Sequence, residues 1–113
     1  MDQLNDYPQI IKKILTQHIE RCNKRPESDQ ETFLVIDQEN GHYIWMSLGW
    51  QNGERFSGAT VYVRLRDGKF WIEEDWTEAG IANELVAAGV PKEHIVLAFH
   101  EPEVRTETGF ALA

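Results

Sequence analysis

Apolar and polar positions along this chain follow two different periods, and the switch between them marks out its elements. Ile10, Ile11, Ile14, Leu15, His18, Ile19 and Cys22 recur at the three- and four-residue spacing of one helical face, with Leu4 and Tyr7 extending it upstream. Lys12, Lys13, Gln17, Glu20 and Arg21 take the other side, so the pattern predicts an amphipathic helix. Pro8 suits its first turn, Lys24 and Arg25 favour its negative end, Pro26 stops it, and Glu27–Glu31 forms a polar connector. The period then shortens. Thr32–Gln38, His42–Trp50, Phe56–Arg66 and Lys69–Asp75 read as four strands. Asn40-Gly41 and Asp67-Gly68 read as two-residue hairpin turns, and Gln51–Glu54 as a looser one. Thr77 is placed to cap a second helix, Glu78–Ala88, with Glu78 in its first turn, Gly89 at the left-handed position beyond its end and Pro91 following. His94–Phe99 predicts a fifth strand, and the pattern assigns no element to Glu101–Ala113. The expected fold is α+β: an amino-terminal helix, a four-stranded antiparallel meander, a short second helix and a fifth strand, in one domain spanning residues 1–113.

Tight turns fix register, so the two faces of the sheet can be written down. Around Asp67-Gly68 the pairs are Arg66 with Lys69, Leu65 with Phe70, Arg64 with Trp71, Val63 with Ile72 and Tyr62 with Glu73. One face then holds Val61, Val63, Leu65, Phe70 and Ile72, and reads as core. The other holds Tyr62, Arg64, Arg66, Trp71, Glu73 and Asp75. Around Asn40-Gly41 the same rule pairs Phe33 with Leu48, Val35 with Met46, Ile36 with Trp45 and Gln38 with Tyr43. Both faces of that hairpin are apolar: Phe33, Val35, Met46 and Leu48 on one, Leu34, Ile36, Tyr43 and Trp45 on the other. A sheet with one wet face does not look like this, so a helix, the tail or a second chain must cover the additional surface. The reading places a partner or oligomer interface at Leu34, Ile36, Tyr43, Trp45, Tyr62, Arg64 and Trp71.

Composition narrows the function. With 113 residues the chain should bury roughly 65% of its unfolded surface, enough for a core without staples. No apolar run approaches the roughly 18 residues of a membrane span, and the first six residues lack the blocks of a signal peptide. A cytoplasmic protein without membrane attachment is expected. Cys22 is the only cysteine, which rules out an internal disulfide and a multi-thiolate zinc site, and its helical position predicts a small core residue. The net charge is −8, although the first 26 residues carry five basic and three acidic side chains. That balance disfavours a free-standing nucleic-acid binder.

Candidate chemistry is sparse. His18, His42, His94 and His100 are scattered, and His18 falls on the apolar stripe as a hydrogen-bonded core or boundary residue. His100 with Glu101 offers two adjacent metal donors and no more. In the run Glu73, Glu74, Asp75 and Glu78, strand alternation separates Glu74 from Glu73 and Asp75, so no carboxylate dyad forms. Asp75 and Glu78 around Thr77 make better sense as electrostatics at a helix start. Tyr62 and Trp71 with Arg55, Arg64 and Arg66 could stack single-stranded bases, which is the alternative reading.

The runs Asp67-Gly68-Lys69-Phe70-Trp71-Ile72, Thr77-Glu78-Ala79-Gly80-Ile81-Ala82 and Gly89-Val90-Pro91-Lys92, followed by Ile95–His100, resemble the XisI family. The likeness extends over nearly the whole chain, through Tyr7, Ile10 and Ile11 and through Gly49-Trp50, with Trp76 standing where a glycine is usual. Members are called fdxN element excision controlling factors and abound in cyanobacteria. The resemblance implies a small α+β protein that works with a XisH-like partner while a separate recombinase excises a DNA element during heterocyst development. It implies no catalytic residue and no cofactor. Its motif positions here are Asp67, Gly68, Trp71, Asp75, Thr77, Glu78, Gly80, Ile81, Ala82, Gly89, Pro91 and His100. Together the readings predict a non-enzymatic accessory factor acting through protein contacts, itself a homo-oligomer, most simply a dimer, and not touching nucleic acid directly.

Overall fold

The computed structural model describes residues 3–24 and 30–113. The side chain of Leu4, the predicted helix stop at Pro26 with Arg25 before it, and the start of the connector at Glu27 lie outside the described residues. The first helix, α1, spans Gln3–Asn23. It begins ahead of Pro8, which therefore sits in the second turn rather than the first. Proline there removes one helical hydrogen bond. Burial of Tyr7 next to it offsets the loss: its ring stacks on Phe70 at 4.6 Å and its hydroxyl shares a 2.6 Å hydrogen bond with His94 Nδ1. Tyr7, Ile11, Ile14, Leu15 and Ile19 form the buried stripe, and Ile19 is its last member. Cys22, expected in the core, is exposed because the final turn runs past the packed stripe.

Four strands follow as an antiparallel meander: β1 (Gln30–Asp37), β2 (His42–Gln51), β3 (Glu54–Arg66) and β4 (Lys69–Asp75). The second helix, α2 (Ile81–Ala87), crosses over to β5 (Ile95–Leu97), which pairs with β4 in parallel and makes the sheet mixed. The sheet order is β1-β2-β3-β4-β5. The architecture is the expected α+β arrangement.

The Asp67-Gly68 turn has both residues at positive φ, 55° and 74°, and the pairs nearest it are as predicted. Beyond Val63–Ile72, a bulge at Glu73 pairs Tyr62 with Glu74 and Val61 with Asp75. That extra residue turns Asp75 from the outer face to the core face. At Asn40-Gly41 the turn is longer than two residues. Asp37 accepts hydrogen bonds from the Asn40 amide and its Nδ2 (3.2 and 2.8 Å), closing a loop of residues 38–41. These bonds also hold the Asp37 carboxyl below its ordinary pKa. Phe33 consequently pairs with Met46, Leu34 with Trp45, Val35 with Ile44 and Ile36 with Tyr43, two residues away from the predicted register. Because the slip is even, every side chain keeps its predicted face. Gly41, at φ 76°, lies against β3, where an added Cβ would sit 2.4 Å from the Leu65 carbonyl oxygen.

A second bulge, at Thr60, decides which residues share a face. The Asn52-Gly53 turn (φ 53° and 80°) starts an unbroken register that would pair Tyr43 with Tyr62. The bulge pairs Tyr43 with Val63 and Trp45 with Val61 instead. Tyr43, Trp45, Val61, Val63, Phe70 and Ile72 therefore form one buried face, under α1 and α2.

The second helix starts three residues later than predicted, and Thr77 does not cap it. Asp75, swung inward by its bulge, accepts hydrogen bonds from the Ile81 amide (2.7 Å) and from the Thr77 amide (2.9 Å) and hydroxyl. Gly80, at φ 89°, supplies the backbone turn into the helix. At the other end Gly89 (φ 101°) donates to the Val86 carbonyl and Val90 to that of Leu85, each at 3.0 Å, the paired closure a left-handed glycine allows. The tail, unassigned from sequence, lies along β5. Ala111 bridges Val96, and Arg105 donates to the carbonyls of Ala98, His100 and Leu112.

Candidate interaction surface

The proposed interface residues divide between the two sides of the sheet. Tyr43 and Trp45 are core residues, 1% and 7% exposed, because the Thr60 bulge turns them towards α1. His18 of α1 stacks on Trp45 at 5.2 Å and shares a 2.7 Å bond with Glu84 of α2, which locks the two helices over this ring. Burial also raises the pKa of the Tyr43 hydroxyl, keeping it neutral. Leu34 and Ile36 lie on the same side at the sheet margin. Tyr62, Arg64 and Trp71 occupy the opposite side. The seven residues therefore do not form one patch.

The apolar part of the outer face is built from Phe33, Val35, Met46 and Leu48, which the sequence pattern assigns to a face but not to an interface, together with Ile44. Alternation places Phe33 and Val35 of β1 beside Ile44, Met46 and Leu48 of β2, and these continue into Tyr62, Arg64 and Trp71. Val35 is 41% exposed and the others are half-buried. Both helices lie on the other face, and the bonds described for the tail run along β5 and to Lys69. The outer face has an apolar half on β1 and β2 and a polar half on β3 and β4. On the polar half, Tyr62 bonds His42 Nδ1 (2.7 Å), Arg64 pairs with Glu73 (3.6 Å), and Arg66 lies 5.0 Å over the Trp71 ring. Trp71 Nε1 donates to the Arg66 carbonyl (3.0 Å).

The motif residues largely build the connection from β3 to β5. Asp67 and Gly68 make the turn, Asp75 and Thr77 brace the start of α2, and Gly80 and Gly89 shape its two ends. Ile81 and Ala82 are buried, Glu78 is exposed, Pro91 precedes a short 3-10 turn at Lys92–His94, and His100 bonds the tail through its carbonyl. The acidic run is dispersed: Glu73 faces Arg64, Asp75 caps α2, and Glu74 and Glu78 are exposed. Among the described residues no three of His, Cys, Asp or Glu are gathered to hold a metal ion. An open cleft of about 810 Å³ lies near the far ends of β2 and β3, between Trp50 and Trp76. Among the described residues its lining, which includes Ser47, Phe56 and Thr60, carries no acidic, basic, histidine or cysteine side chain.

The family model described as XisI protein matches residues 1–112. The chain belongs to the XisI family. The crystal structure of a XisI-like protein from Anabaena variabilis ATCC 29413 is similar to it, with a TM-score of 0.87 and 35% identity over 97% of this chain and 99% of that one. The fdxN element excision controlling factor XisI from the same organism gives a TM-score of 0.85 at 35% identity, over 99% of this chain and 100% of its own. No curated protein matches. The XisI fold seen here has no helix long and apolar enough to cross a membrane among the described residues.

Proposed function

We propose that this XisI-family chain is a non-enzymatic accessory factor controlling excision of a DNA element, and that it acts by binding a XisH-like protein through the outer face of its sheet. The setting implied by the family is the cytoplasm of a cyanobacterium, in the rearrangement that accompanies heterocyst development. The observation that carries the reading is the apolar half of that face: Phe33, Val35, Ile44, Met46 and Leu48 side by side, on the side of the sheet away from both helices. A contiguous apolar surface of this kind on a small acidic domain is characteristic of an interface. The name borne by the Anabaena XisI, an excision controlling factor, supports the control role. The separate surroundings of Glu73, Glu74, Asp75 and Glu78 support a role that uses no carboxylate dyad of this run.

The nucleic-acid alternative needs Arg55, Arg64 and Arg66, and each is engaged within the chain. Arg64 pairs with Glu73, Arg66 covers Trp71, and Arg55 lies 5.6 Å over Trp50. Met46→Glu puts a charge in the middle of the apolar half without entering the core. Capture of the XisH-like protein by the tagged chain is expected to fall more than about tenfold with this variant, since a buried hot-spot residue is worth about 2 kcal/mol or more. An unchanged far-UV spectrum would show the fold intact. Undiminished capture by a folded Met46→Glu chain contradicts the proposal.

A further inference from the structure

We propose that the outer edge of β1, along Phe33–Ile36, is a dimer interface, at which a second copy of this chain adds its own β1 antiparallel to form a continuous ten-stranded sheet. The two edges of the sheet are treated differently. At β5 the tail closes the edge: Ala111 bridges Val96, and its amide donates to the Ile95 carbonyl at 2.8 Å. At β1, the terminal strand in the sheet order, Asn23 Nδ2 donates to the Thr32 carbonyl (3.4 Å), and Gln30 is also engaged, both near the start of the strand. The segment Phe33-Leu34-Val35-Ile36 beyond it is apolar throughout and ends in two β-branched residues. It carries no proline or lysine, and its register with β2 has no bulge. Those are the devices that normally blunt an edge. Val35 and Ile36 are 41% and 36% exposed although they point to opposite faces. Exposure on both faces of one strand is what an uncovered edge produces.

Pairing of β1 with itself is constrained by symmetry. In a two-fold pair, residues directly opposite share a face, so the axis must pass through a residue position. Centring on Leu34 would set Glu31 of each chain against Asp37 of the other, two like-charge contacts. Centring on Val35 sets Val35 against itself, Leu34 against Ile36 and Phe33 against Asp37, and brings Glu31 level with Glu39 of the turn, beyond the end of the strand. It also buries the two exposed apolar residues. The axis then runs perpendicular to the sheet, so both helical layers lie on one side and both outer faces on the other. The inference extends the proposed function by doubling the apolar docking surface, yet it rests on the edge and not on that reading. Met46 lies off the edge, on β2, so the two proposals fail separately.

The test uses the full chain with its exposed native thiol removed, Cys22→Ser. Sizing with light scattering at high micromolar concentration is expected to give twice the chain mass of 13.1 kDa. Val35→Cys in this background is expected to form an inter-chain disulfide on mild oxidation, because residues directly opposite in a sheet fall within disulfide reach. Leu34→Cys, two positions out of line with its own copy at about 7–8 Å, is expected to stay reduced. A monomer at that concentration overturns the proposal. So does a dimer in which Leu34→Cys cross-links and Val35→Cys does not.

Discussion

Replacing Trp45 with glutamate is expected to leave the chain without a cooperative denaturant transition, while Trp45→Phe keeps the transition and loses about 2 kcal/mol or less. Trp45 is 7% exposed, at the point where β2, α1 and α2 meet. Glutamate there forfeits the packing of the indole, worth about 3–5 kcal/mol on truncation, and buries a carboxylate. His18 stacks on the ring, but its Nε2 already faces Glu84 at 2.7 Å, so a new acid adds like charge rather than a partner. The sum is comparable to the whole stability of a domain this size. Phenylalanine keeps an apolar ring and deletes Nε1, which is buried without a hydrogen-bond partner among the described residues. Chemical denaturation followed by circular dichroism reads both variants. Because the position is internal, glutamate there tests the fold and not association, contrary to the role that the sequence pattern assigns to Trp45.

The second large effect is expected at Asp75. Asp75→Ala removes one carboxylate that holds three donors, the amides of Ile81 and Thr77 and the Thr77 hydroxyl. Loss of a helix cap costs about 1–2 kcal/mol, and a part-buried donor left without its charged acceptor adds to that. About 2–4 kcal/mol is expected, read as a lower denaturation midpoint. Asp75→Asn keeps one acceptor oxygen and should recover roughly half. The consequence is regional as well. Because α2 carries the chain to β5 and Glu84 on α2 holds His18, amide exchange should accelerate in α2 and β5 before β1–β3. An Asp75→Ala chain as stable as the natural one would remove the carboxylate from its capping role.

These two residues also mark what was legible in the sequence. The helix period, the Asp67-Gly68 turn and the Gly89 closure are local chemistry, and each stands where the pattern put it. The Asn40-Gly41 turn is longer than its dipeptide implies because the Asp37 side chain bonds two groups of Asn40. Face assignment survived only because the slip was even. What was not legible is the pair of bulges. An extra residue at Thr60 moves Tyr43 and Trp45 from the side of Tyr62 to the side of Val63, and one at Glu73 moves Asp75 inward to α2. Nothing in local propensity marks either site, since a bulge is set by how the whole sheet twists against its helices. The Asn52-Gly53 dipeptide did carry information. Read as a tight turn, it fixes the register from Gln51 to Met46 and puts Met46 beside Ala59, on the outer face. Both faces of the first hairpin being apolar was the correct warning. Helix α1 covers the Tyr43 side, and the Phe33, Val35 and Met46 side is the one presented outward.

The most direct test of the account follows methyl resonances of the chain as the XisH-like protein is titrated in. The prediction is that the methyls of Val35, Ile44, Met46 and Leu48 shift or broaden together, while those of Ile11, Leu15 and Leu85 beneath the helices stay in place. Binding that moves none of the four outer-face methyls, or moves only residues around the cleft between Trp50 and Trp76, would contradict it.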